Sequence, residues 1–129
     1  MLTYVANYVI YMLSGAFLLG IFFVVYTRTT PIDEVAQVRA GNSAAALSLS
    51  GALVGFSLTV ASGILHNSAL LTFVAWSGGA MVVQLAVYAV FSRLLPGVKD
   101  QLEAGNVAMG GLLGAISLAV GAINAACLS

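Results

Sequence analysis

Charged residues are absent from four long stretches of this chain until their final positions. The stretches run from Leu2 to Tyr26, Ser43 to Leu65, Ala69 to Leu94 and Val107 to Cys127, and only the third carries a charge, Arg93, at its end. A helix rising about 1.5 Å per residue crosses a bilayer in about 20 apolar residues. In oil no water is present to bond the peptide groups, so each crossing must be a helix that closes its own hydrogen bonds. The pattern predicts an all-α integral membrane protein with four transmembrane helices.

The connections differ in kind. His66-Asn67-Ser68 is so short that spans two and three must form a tight antiparallel hairpin. The other two connections are longer and polar. In the first, Thr30 suits an N-cap, Pro31 the first helical position, and Asp33 and Glu34 the first turn. Ile32, Val35 and Val38 recur every three residues, and Gly41 closes the segment. In the second, Pro96 to Gly105, Val98 and Leu102 stand four apart. Each connection is expected to be a short amphipathic helix at the membrane surface.

All eight acids and bases fall in two short windows: Arg28, Asp33, Glu34 and Arg39, then Arg93, Lys99, Asp100 and Glu103. Basic residues collect on the cytoplasmic side of membrane proteins. Arg28, Arg39, Arg93 and Lys99 therefore place both connections in the cytoplasm and both termini outside. Tyr4, Tyr8 and Tyr11 agree, marking the outer end of span one. The first stretch lacks a basic leader and exceeds a signal-peptide core, so it is expected to be retained.

The chain also repeats itself. Ala40-Gly41-Asn42 recurs 64 positions on as Ala104-Gly105-Asn106, and Gly15-Ala16 as Gly79-Ala80. Two copies of one helical hairpin, residues 1–65 and 66–129, would then insert in the same sense, as a parallel repeat. Gly41 and Gly105 suit the left-handed end of a surface helix. Asn42 and Asn106 suit the N-cap of the next span. A pair of asparagines lining a cytoplasmic mouth is the sharper alternative.

Composition narrows the function. Of 129 residues, 61% are hydrophobic and 6% charged, against about 25% charged in soluble domains. The net charge is zero, so nothing in the sequence suggests a nucleic-acid surface or a polybasic lipid patch. One His and one Cys, with no acid inside a span, give no metal set, no nucleophile–base pair and no cofactor motif. No enzyme activity is expected. A carboxylate, Lys or His in the membrane core would suit a proton-driven transporter, and the spans hold none. His66 reads as a loop residue, and Cys127 as an unpaired terminal thiol.

Small residues mark the packing. Span two carries Ser48, Gly51 and Gly55; span four carries Gly110, Gly114, Ser117, Gly121 and Ala125. Such spacings let helix backbones touch. They form either the bundle core or an interface between subunits, with the bulkier spans one and three facing lipid. The surplus in span four predicts a homo-oligomer. Among the intramembrane polar groups, serines and threonines can bond back to their own helix. Gln84 needs a partner and should point inward, whereas Asn124 lies near the outer surface.

Four segments resemble one bacterial family: Pro31-Ile-Asp-Glu34, the small-residue block from Gly41 to Gly55, Phe73-Val-Ala-Trp76 and Asn124-Ala-Ala-Cys127. They are similar to the inner-membrane proteins described as domain of unknown function 350, the YjfL-like proteins. The resemblance covers nearly the whole chain and implies a bacterial inner-membrane location. Members tend to be encoded near envelope-stress proteins, which implies an envelope role by association. It carries over no functional residue. Two functions fit: a homo-oligomeric membrane scaffold that docks a peripheral cytoplasmic protein in envelope maintenance, or a neutral-lined pore or passive carrier through the small-residue helices.

Overall fold

The four apolar stretches are four long helices. The computed structural model describes residues 1–129. Its elements are α1 (Leu2–Thr29), α2 (Glu34–Arg39), α3 (Ser43–His66), α4 (Leu70–Leu94), α5 (Val98–Glu103) and α6 (Val107–Cys127). Helices α1, α3, α4 and α6 are each long and apolar enough to cross a membrane. The protein is an all-α integral membrane protein. Helices α2 and α5 sit together at one end, with every charged side chain; this is the charged end. The termini and the turn between α3 and α4 form the other.

The order of burial explains the architecture. Helix α3 is the most buried long helix and α1 the least. Helix α3 packs along α6, and α1 and α4 complete the bundle against this pair. The α3–α6 contact is backbone on backbone. A Cβ placed on Gly55 would come within 2.5 Å of the Ser117 carbonyl oxygen, and one on Gly121 would strike the Gly55 backbone. Lipid offers no hydrophobic force between helices, so dispersion and close approach must hold them. Only residues without a side chain allow that approach here.

Hydroxyls add polar ties along the same seam. Thr59 donates to the Gly121 carbonyl at 3.0 Å, and Ser62 to the Ala125 carbonyl at 2.5 Å. The sequence expectation gave such groups to their own helix. Ser57 does bond back, to Val54. Thr59 bonds back to Gly55 at 3.4 Å and also crosses to α6, and Ser62 crosses too, because glycine brings the carbonyls of α6 within reach.

Larger side chains fill the space toward α1 and α4. Phe22 stacks on Phe56 with ring centroids 4.6 Å apart, and Tyr26 meets Tyr88 edge-on at 5.1 Å. The first nine residues of α1, by contrast, are all exposed. That end of α1 stands off α3 across an open groove of about 670 Å³, lined by Tyr4, Tyr8, Met12 and Ile64 among others.

Candidate functional site

Polarity is concentrated at the charged end, and its construction begins with two glycine turns. Gly41 and Gly105 have φ of +86° and +81°, the left-handed conformation that ends α2 and α5. The chain then enters the next long helix through an asparagine. Asn42 Oδ1 accepts from the Ala45 amide at 3.2 Å, and Asn106 Oδ1 from the Met109 amide at 3.2 Å. The two corners share this local geometry.

They differ in what the amide nitrogen does. Asn42 Nδ2 donates to Gln37 Oε1 at 3.0 Å and to the Leu102 carbonyl at 2.6 Å. Gln37 lies on α2 and Leu102 on α5. A single side chain thus caps α3 and joins both short helices. Asn106 is exposed and makes only its cap. Ile32, Val98 and Leu102 bury themselves beneath, while Asp33, Arg39, Lys99, Asp100 and Glu103 remain exposed. The result is a fixed platform with a mixed-charge outer surface.

The first short helix starts later than its sequence implied. Thr30 ends α1 rather than capping α2, and Asp33 is the N-cap, accepting from the Ala36 amide at 3.2 Å. Pro31 lies between them, outside either helix. Asp is at least as strong an N-cap as Thr, so the later start wins. The helical phase changes accordingly. Val38 becomes exposed and Glu34 turns inward. The second short helix likewise begins at Val98, after Gly97 with φ of +74°.

Glu34 is the residue the sequence reading missed. It has no accessible surface, and neither carboxyl oxygen has a hydrogen-bond partner. Desolvation by burial pushes its pKa up to about 7, the nearby Thr30 hydroxyl opposing and the Asp33 charge adding to the rise. A buried acid therefore exists, although it belongs to a connection and not to a span. Tyr26 and Tyr88 lie within electrostatic reach of it. The Tyr26 hydroxyl is 3.3 Å from Ser48 Oγ, and the Tyr88 hydroxyl is unpartnered. The one available signal was Asp33 itself, which fixes the phase that carries Glu34 inward.

Farther from this end, Gln84 points into the bundle and donates to the Ala52 carbonyl at 3.0 Å. Its own carbonyl oxygen is unpartnered. Asn124 is half-buried and donates to the Ala80 carbonyl at 3.2 Å, joining α6 to α4, so it is not simply a wet outer residue. His66 is the last residue of α3, exposed, with Nδ1 at 2.9 Å from the Ser62 carbonyl oxygen. Cys127, the last residue of α6, is also exposed.

Of the small residues, Gly51, Gly55, Gly110, Gly114 and Gly121 lie in the α3–α6 seam inside one chain. Ser117 and Ala125 lend it carbonyls. Ser48 sets its backbone against Gly114 and turns its hydroxyl toward Tyr26. Arg28, Arg39, Arg93 and Lys99 are exposed at the charged end.

Residues 1–128 match the family described as Domain of Unknown Function (DUF350). The chain belongs to the DUF350 family. Two similar relatives are the UPF0719 inner membrane protein YjfL of Escherichia coli strain K12 and that of Escherichia coli O157:H7. Each is 32% identical over 119 residues, covering 92% of this chain and 90% of the relative. No solved structure matches. For this DUF350 member, the two-corner platform and the acid beneath it are the features with chemistry to offer.

Proposed function

We propose that this protein is a docking scaffold of the bacterial inner membrane, with its charged end in the cytoplasm. One observation carries the reading: the Asn42 amide ties α2 and α5 into a single rigid platform. A surface organised before binding loses less entropy when a partner docks. The exposed Arg39, Lys99, Asp100 and Glu103 offer both signs of charge for choosing that partner. The orientation is supported by all four basic residues lying at this end. The inner-membrane location is supported by the printed name of the relatives. A role in envelope maintenance is supported by the association the family resemblance carries.

We further propose self-association, on a narrower basis than composition implied. Most small residues are spent within the chain. Gly111 and Ala115 remain beside a shallow groove of about 240 Å³ with Leu47 and Val54, and a Cβ on Gly111 would meet nothing within 4 Å. Crosslinking in native membranes should give dimers or larger species; monomer alone would count against them. A pore or passive carrier between the small-residue helices draws no support from a seam in which the two backbones touch.

The test of docking is capture of a peripheral protein from cytosol by liposomes containing the protein. Charge reversal at Arg39→Glu together with Glu103→Arg should abolish capture. Equal capture by the double variant, or reproducible solute flux through the same liposomes, would overturn the docking role.

A further inference from the structure

A second feature of the charged end lies beside the platform, where the ends of α1 and α4 meet α5. A cavity of about 370 Å³ opens there, and its lining includes Thr29, Pro31, Ser92, Arg93, Gly97 and Lys99. Two cations line it and no acid does. The Thr29 and Ser92 hydroxyls bond back to Val25 and Ala89 of their own helices. A hydroxyl rotates freely, so each can turn its proton toward an anion.

The level of this cavity matters. It caps the apolar lengths of α1 and α4, where Val24, Val25, Val90 and Leu94 are still exposed. An apolar groove of about 710 Å³ also runs along α1, lined by Leu13, Phe17, Gly20, Ile21, Val24 and Val25 among others. Gly20 lies in this groove without a side chain, and the space where its Cβ would stand is open to at least 4 Å. Val25 of the groove and Thr29 of the cavity stand one helical turn apart on α1, so the upper edge of the groove adjoins the cavity.

We infer that this is a binding site for an anionic phospholipid, the phosphate held by Arg93 and Lys99 and an acyl chain laid along the Gly20 notch. A cationic cup above an apolar groove matches the two ends of a lipid. A soluble phosphate would use only the cup. The guanidinium of Arg93 matches the paired oxygens of a phosphate, and Lys99 adds a second charge. Lipid binding here requires no docked protein, and a protein that fails to capture a partner would still show it.

Native mass spectrometry tests the site, using full-length protein from micelles holding equal phosphatidylglycerol and phosphatidylcholine. Each cation near an anionic lipid surface contributes a factor of about five, so retention should favour phosphatidylglycerol by about thirtyfold. Arg93→Gln with Lys99→Gln should bring the ratio close to one. Gly20→Leu should reduce lipid retention severalfold. A wild-type ratio near one overturns the site, and needs no variant to fold. So does unchanged preference in the double variant. Displacement of phosphatidylglycerol by an equal concentration of glycerol phosphate also overturns it, since the site would then belong to a soluble anion.

Discussion

The side-chain amide of Asn42 donates to the backbone carbonyl of Leu102, 60 residues away, at 2.6 Å. The equivalent Asn106 reaches nothing beyond its own cap. Two corners of like sequence thus carry unequal loads.

Substitution should expose the inequality. Asn106→Ala removes a cap worth about 1 kcal/mol. Asn42→Ala removes a cap and also the bonds to Gln37 and Leu102, each worth about 1 kcal/mol, for about 2–3 kcal/mol in all. Unfolding in defined micelles measures both. Equal losses at the two positions would mean that the bonds to Gln37 and Leu102 contribute nothing.

Glycine substitutions should differ in sign across α6. Gly121→Ala drives a methyl into the Gly55 backbone and should destabilise by about 1–3 kcal/mol or more. Gly111→Ala meets open space and should be neutral or stabilising by up to about 1 kcal/mol, from helix propensity. Melting temperatures of the two variants, compared in one detergent, decide this.

How far the sequence carries is clear from these same residues. The spans and the helix ends at Gly41 and Gly105 follow from solvent and backbone rules that act locally. The glycines announced close packing but not its partner, because a small-residue stripe fits a neighbouring helix or a second subunit equally well. Glu34 was hidden by a three-residue shift in where α2 begins, which turns the face a short helix presents by about 60°. Asn124 was hidden because its partner, the Ala80 carbonyl, is a backbone group that no side-chain pattern marks.

Glu34 should make stability depend on pH near neutrality. Its pKa in the folded protein is about 7, above the ordinary carboxyl value of 4.5, so the folded state holds the proton more tightly than the unfolded state. The stabilising contribution is therefore complete below about pH 4.5 and is lost as pH rises through about 7. Glu34→Gln, which stays neutral, should flatten the profile and be the more stable protein at pH 8. Unfolding measured from pH 4 to pH 8 for both proteins tests this; parallel profiles would show that Glu34 does not titrate there.

Gln84→Leu should change stability by less than about 1 kcal/mol. The bond to the Ala52 carbonyl is worth about 0.6 kcal/mol by the average for such bonds in membranes. Its loss is offset by removing a buried amide oxygen that has no partner. A loss above about 2 kcal/mol would require a partner for that oxygen, such as an ordered water.

The pairing of α3 with α6 also sets a timetable for biogenesis. A ribosome delivers α3 second among the four long helices and α6 last. Until the final helix enters the bilayer, the glycine face of its mate lies bare to lipid, and neither Thr59 nor Ser62 can reach its carbonyl on the absent strand of the seam. The α3–α6 seam can therefore close only after α6 has been synthesised.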